Sequence, residues 1–266
     1  MTIYRDLIRA GRDARTPAIG TLITLDSTEA IETLTLCGFD WFFIDLEHSA
    51  LSLGAAQRLI EVVAGRACTL VRVPENSPVW IKRVLDLGSD GIIVPQVNTA
   101  AEARAAVDAA KYPPLGRRSV GIGRAHQYGL GFAEYVARAN ADTAVVIQIE
   151  HIEAVNNAEA ILAVDGIDGV QLGPYDLSGS LNLLGQVRSE AVQTALRRAK
   201  NACKARGLSF GTFVLNPEAV AVEAADGCAL IAIGTDTTLL ASAAQGAIAA
   251  ARAGLAGAGP GKSHQT

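Results

Sequence analysis

The sequence predicts an α/β fold in which eight strand–helix units close into a (β/α)8 TIM barrel. Three observations carry that reading. The chain has 266 residues, close to the roughly 250 of one such barrel and short for two full domains. Short β-branched runs alternate with longer Ala-rich segments of helical period. The short runs are apolar throughout, as parallel strands covered on both faces are.

The elements follow in order. Strands are expected at Ile19–Thr24, Trp41–Asp45, Thr69–Val73, Gly91–Val94, Ala144–Glu150, Gly169–Leu172, Ser209–Phe213 and Leu230–Ile233. Helices are expected between and after them, at Ser27–Cys37, Leu53–Ala64, Ser77–Leu87, Ala100–Ala110, Ala154–Leu162, Glu190–Arg206, Pro217–Ala225 and Asp236–Ala253. Eight pairs is the number that closes a barrel. An open doubly wound sheet is the rival. Its glycine fingerprint does not follow the first strand, and Gly121-Ile122-Gly123 falls in a loop without the third glycine. Residues 1–253 read as one barrel domain and 254–266 as a flexible C-terminal tail. The longest irregular stretch, Lys111 to Gly131, holds Arg124, His126 and Tyr128 and reads as a functional or interface loop.

Composition removes several classes of function. Half the residues are hydrophobic and 19% are charged, which excludes general disorder. A net charge of −4 without a Lys/Arg run argues against nucleic acid. No uninterrupted apolar run approaches the roughly 18 residues of a membrane helix, so no membrane is expected. The N-terminus is rich in Arg and Asp and lacks an apolar leader. The four cysteines have no metal-type spacing. The expected location is therefore cytoplasmic, with reduced thiols.

Barrels place functional side chains at the C-terminal ends of their strands. Those ends read Asp45-Leu46-Glu47-His48, Arg72, Gln148-Ile149-Glu150, Gly173-Pro174-Tyr175-Asp176 and Gly234-Thr235-Asp236. Gln148 and Glu150 lie two apart and share a face. A buried Glu there needs a partner. A divalent cation with Asp176 as second ligand is one reading. An arginine partner for Glu150, with Asp176 as a helix cap, is the other. The Gly173-Pro174-Tyr175-Asp176 turn presents N–H groups suited to a carboxylate or phosphate, or is an ordinary capped turn. His48, flanked by acids, is a candidate base near neutral pH. Arg72 ends an apolar run and needs an anion, which is Asp45, Glu47 or a substrate enolate. Asp86 lies late in the third helix among apolar neighbours. All five lysines fall in helices, at a helix end or in the tail, so a Schiff-base lysine inside the barrel is not expected. Carbanion chemistry would then need a metal.

The string from Gly38 to His48 resembles the second-strand motif of the HpcH/HpaI family of class II, metal-dependent 2-oxoacid aldolases. Val71-Arg72-Val73-Pro74, Ile81 to Gly88, Val94-Pro95-Gln96-Val97, Tyr112 to Gly121, Gln148-Ile149-Glu150 and Val164 to Ser178 are similar to its further blocks, in the family's order. The resemblance implies a phosphoenolpyruvate/pyruvate-binding type of barrel whose C-terminal helix is exchanged between subunits of a homo-hexamer, a trimer of dimers. It implies a lyase that cleaves a 4-hydroxy-2-oxo acid reversibly to pyruvate, or a close 2-oxo acid, and an aldehyde. Glu150 and Asp176 would hold the metal, Mg²⁺ or Mn²⁺ before Co²⁺ or Zn²⁺. Arg72 would stabilise the enolate oxygen. His48, oriented by Asp86 and aided by Asp45, would be the acid/base. Gln148 would support the metal site, and the backbone of Gly173, Pro174, Tyr175 and Asp176 would hold the substrate carboxylate. Tyr175, where family members often have Ala, Leu22, and the stretch after Val214 depart from the pattern on the acceptor side. The competing readings are a citrate-lyase-β-like CoA ester lyase and a non-catalytic ligand-binding barrel.

Overall fold

The computed structural model describes residues 4–8 and 16–257. The rest of the N-terminal segment and residues 258–266 of the expected tail lie outside the described residues, while 254–257 of that tail continue the last helix. Eight parallel strands close in sequence order: β1 Ala18–Ile23, β2 Trp41–Asp45, β3 Cys68–Arg72, β4 Gly91–Val94, β5 Ala144–Ile149, β6 Gly169–Leu172, β7 Ser209–Val214 and β8 Leu230–Thr235. The outer layer is α1 Thr28–Leu36, α2 Leu53–Val63, α3 Pro78–Asp86, α4 Ala100–Ala110, α5 Phe132–Asp142, α6 Ile152–Asn156, α7 Ala158–Leu162, α8 Pro174–Ser180, α9 Glu190–Ala205, α10 Val220–Ala225 and α11 Asp236–Gly257. The expected barrel and all eight expected strands are present.

Four details differ from the sequence reading. The single helix expected at Ala154–Leu162 is two short ones, broken at Asn157, whose side-chain amide turns away to donate to the Asn98 carbonyl. Helix α5 was not expected. It buries only Ala139 fully, yet Phe132, Tyr135, Val136 and Ala139 fall at helical spacing on its less exposed face. Helix α8 was expected as a turn. At seven residues it is too short to show a period, though Pro174 at its start favours it. Finally, α11 averages apolar enough over 21 residues to match a membrane helix by length and composition, despite its interspersed Thr, Ser, Gln and Gly.

Alternation along each strand sorts the core into two zones. Trp41, Phe43, Cys68, Leu70, Ile93, Ala144, Val146, Leu230 and Ala232 pack together inside the barrel. Phe42, Ile44, Val71, Ile92, Val145, Ile147, Val170 and Ile231 face outward onto the helices. The interior is narrow beside Trp41. A Cβ on Gly20 would fall 2.5 Å from the indole, so glycine is what lets Trp41 fit and donate to the Ala18 carbonyl at 3.2 Å. Buried Tyr4 bonds Ser209 at the N-terminal end of the strands. Lys111 is also buried at that end, with Nζ donating to the carbonyls of Thr143 (2.6 Å) and Asn140 (3.0 Å). The polar site lies at the other end.

Candidate active site

The two-residue period that builds the interior also builds the site. Asp45 follows Phe43 on its face of β2, Arg72 follows Leu70 on β3, and Gln148 follows Val146 on β5. Asp45 and Arg72 are in register as neighbours. A polar layer therefore caps the apolar interior at the C-terminal strand ends. Within it, Arg72 donates from Nε to Asp45 Oδ1 (2.9 Å) and from Nη2 to Asp45 Oδ2 (2.7 Å). Its Nη1 reaches Gln148 Oε1 at 3.4 Å. The guanidinium lies over Phe43, 5.0 Å from the ring centroid. Asp45 also accepts from the backbone N–H of Glu47 (3.0 Å) and His48 (3.3 Å), which folds the strand end back over the site. Burial opposes the charge on Asp45, but the Arg72 hydrogen bonds and charge outweigh it and hold the carboxyl below its usual range.

Glu150 sits beside this pair. Its Oε1 accepts from the Gln96 backbone N–H (2.8 Å) and its Oε2 from Gln148 Nε2 (2.6 Å). Gly173 closes against it. A Cβ there would meet Glu150 Cβ at 2.6 Å and Oε2 at 3.0 Å. Burial pushes the Glu150 pKa up to about 7, with the Gln96 N–H opposing and the carboxylates of Glu47 and Asp176 adding to the rise. Burial likewise raises Glu47, against the pull of Arg72. Glu47 Oε2 stands 3.2 Å from Arg72 Nε and 3.7 Å from His48 Nε2, buried and without a hydrogen bond. Asp176 is exposed in the first turn of α8.

Glu47 and Glu150, each also repelled by the Asp176 carboxylate, thus share one cation, Arg72, that Asp45 already engages in two hydrogen bonds. The orphaned Glu47 oxygen and the raised Glu150 both register a deficit of positive charge. Hard carboxylate oxygens of this kind fit a divalent cation of the Mg²⁺ or Mn²⁺ class. Among the described residues no group of three or more His, Cys, Asp or Glu could hold a metal by itself. Two carboxylates leave coordination positions for a small chelating molecule.

The structure brings Asp45, Arg72, Gln148, Glu150 and Gly173 together, with His48 beside Glu47 at the rim, its side chain 67% exposed. Pro174 and Tyr175 open α8 on the same end, and Val214 ends β7 there. Asp86 is placed elsewhere. It ends α3 at the opposite end of the barrel, where Arg118 binds it at 2.7 Å, so it does not orient His48 within one chain. The 111–131 stretch also lies at that end. His126 is buried there, 3.2 Å from the Tyr112 hydroxyl and packed between Phe132 and Tyr135. Arg124 binds the Leu87 carbonyl, and Tyr128 is exposed. Sequence reasoning missed Gln96 and gave Glu47 only as one candidate anion for Arg72, beside which it stands. Gln96 contributes a backbone N–H, which no residue pattern reveals. Glu47 was visible as an acid at the end of the second strand.

The chain matches the family described as HpcH/HpaI aldolase/citrate lyase over residues 19–243. It is 38% identical over 246 residues to a curated 4-hydroxy-2-oxo-heptane-1,7-dioate aldolase of Salmonella arizonae, covering 91% of each chain. Among solved structures it is similar to an HpcH/HpaI aldolase/citrate lyase family protein from Burkholderia cenocepacia J2315, with a TM-score of 0.88, 32% identity and coverage of 93% of this chain and 99% of that one. It is similar also to an HpcH/HpaI aldolase from Desulfitobacterium hafniense DCB-2, with a TM-score of 0.81, 29% identity and coverage of 91% and 95%. By sequence, barrel topology and the polar layer at its strand ends, the chain belongs to the HpcH/HpaI aldolase/citrate lyase family.

Proposed function

We propose that this protein is a divalent-metal-dependent pyruvate aldolase, a carbon–carbon lyase that cleaves a 4-hydroxy-2-oxo acid reversibly to pyruvate, or a close 2-oxo acid, and an aldehyde. One observation carries the chemistry: three mutually repelling carboxylates, Glu47, Glu150 and Asp176, gather at the C-terminal end of the barrel, where Arg72 is already engaged by Asp45. Glu150 and Asp176 would hold the cation, Mg²⁺ or Mn²⁺. Such an ion supplies charge neutralisation at the keto oxygen where negative charge develops.

The chain's own groups supply the rest. The N–H groups of Tyr175 and Asp176, in the first turn of α8, receive the substrate carboxylate, since Gly173 already donates to the Ile149 carbonyl and Pro174 has no N–H. Arg72, fixed by Asp45 and Gln148, keeps donor capacity for the enolate oxygen. In cleavage His48 takes the C4 hydroxyl proton, the C3–C4 bond breaks, the aldehyde leaves and the bond's electrons reach the C2 oxygen as an enolate. The same proton then returns to C3 and yields pyruvate. Gln148 steadies Glu150, and Tyr175 and Val214 flank the acceptor side. Asp86 belongs to this scheme only through a neighbouring copy, given its place at the far end of the barrel. The free thiols support a cytoplasmic location. The exposed apolar α11 supports a homo-hexamer in which this helix is covered by a second copy.

A citrate-lyase-β-like thioester lyase fits less well, because the curated relative matching 91% of the chain carries an aldolase name. The discriminating experiment incubates the protein with 4-hydroxy-2-oxo acids and, separately, with acyl-CoA substrates. Metal-dependent pyruvate release from the former, lost on chelation, supports the aldolase. Acetyl-CoA release alone would replace it with the ester lyase, and no turnover of either would favour a binding barrel.

A further inference from the structure

Among the described residues four non-glycine positions have left-handed backbone, Gln96 (φ 53°), Gln127 (φ 51°), Tyr128 (φ 56°) and Asn182 (φ 58°). Asn adopts this region readily, because its short side chain bonds locally. Gln127 packs its amide where a Cβ on Gly131 would sit, so the Gln127–Tyr128 pair shapes a turn at the far end of the barrel. Gln96 has neither explanation. It follows β4 and Pro95 at the active end, its side chain is exposed, and Val94, Pro95 and Val97 around it are buried. A strained residue held by buried neighbours at an active end calls for a functional account.

Its backbone provides one. The Gln96 N–H donates to Glu150 Oε1 at 2.8 Å, across from β4 to the end of β5. Pro95 has no N–H and cannot serve in its place. Gln148 Nε2 holds the other oxygen at 2.6 Å, and Gly173 makes room for it, since a Cβ there would fall 3.0 Å from Oε2. Each carboxylate oxygen so engaged keeps a second lone pair for a cation. We infer that Gln96 is a positioning residue for the metal site: its left-handed backbone aims an N–H that locks the Glu150 carboxylate in the orientation a divalent cation requires. The strain is the cost of that aim. The inference rests on the proposed metal role of Glu150 and Asp176 and adds to it the element that orients the first ligand.

The test reads Mn²⁺ binding by the full-length, substrate-free protein, by calorimetry or by the electron paramagnetic resonance of free Mn²⁺. Replacing the 95–96 amide with an ester, through the α-hydroxy analogue of glutamine, removes the N–H alone. The expected result is a Kd for Mn²⁺ raised about tenfold or more, the usual cost of losing a group that orients a metal ligand. Gln96→Gly adopts left-handed backbone freely and Gln96→Val resists it, so the Gly variant should bind Mn²⁺ about tenfold more tightly than the Val variant. Asp176→Asn run in parallel separates the two readings. If it loses Mn²⁺ while the ester protein binds as the parent does, the metal site stands and the role of Gln96 is overturned. Equal affinities of the Gly and Val variants overturn it as well, without needing the ester protein to fold. If Asp176→Asn binds Mn²⁺ like the parent, the metal reading fails and this inference with it.

Discussion

Glu150 concentrates the site's electrostatics in one side chain. It is buried, it is held by two donors, and two further carboxylates push against it, so its pKa stands near 7 in the absence of a cation. That sets a sign for metal binding. Only the ionised carboxylate ligates, so below about pH 7 a proton must leave before the ion enters, and above it none is required. Mn²⁺ affinity should therefore climb by about tenfold per pH unit below 7 and flatten above it. Calorimetric titrations between pH 5.5 and 8.5 measure the slope, and a pH-independent affinity would show that Glu150 is not the group displaced. Arg72 and Asp45 behave differently, because each already satisfies the other. The sequence signalled that Arg72 needed an anion, and Asp45 in register beside it is the partner. The backbone contact from Gln96 was invisible in the sequence, because every residue type except proline carries an N–H.

At the scale of elements, strand order and strand ends were legible because buried parallel strands are continuous apolar runs, and each run here proved to be a strand. Two helices were not expected. Helix α5 carries Phe132, Tyr135, Val136 and Ala139 at helical spacing, a pattern legible in the sequence, whereas α8, at seven residues, is too short to show a period. The long stretch after α4 was recognised as a unit, but its side chains serve the far end of the barrel rather than the site. The joint between β1 and α11 was also hidden, since it depends on one buried acid. Asp236 accepts from Thr24 N (2.9 Å), Thr24 Oγ1 (2.7 Å) and Leu25 N (2.8 Å), tying the end of the first strand to the start of the last helix. Asp236→Ala strands those donors and should lower stability by about 3 kcal/mol, read as a fall in Tm. Asp236→Asn should fall between the variant and the parent.

The whole molecule shows one surface that a single copy leaves open. Residues 241–256 of α11 are all exposed, and the helix carries only Asp236 and Arg252 as charges. Leu240 and Ile248 are 64% and 53% exposed. The second copy proposed to cover this helix would account for its composition, and Leu240→Glu with Ile248→Glu should lower the assembly's mass in sedimentation analysis. An unchanged mass would place the interface elsewhere. The composition of the chain fits the same picture: few lysines, none in the barrel interior among the described residues, and a net charge of −4 around a site proposed to receive an anion through a cation, Arg72 and N–H groups. The central claim is that this site makes the enolate of pyruvate with the help of a divalent ion held by Glu150 and Asp176. Proton NMR of pyruvate in D₂O tests it without knowing the aldehyde. Deuterium should enter the methyl group when Mg²⁺ or Mn²⁺ is supplied, and fail to enter after chelation or in Asp176→Asn. Undiminished exchange in the chelated protein and in that variant would contradict the account.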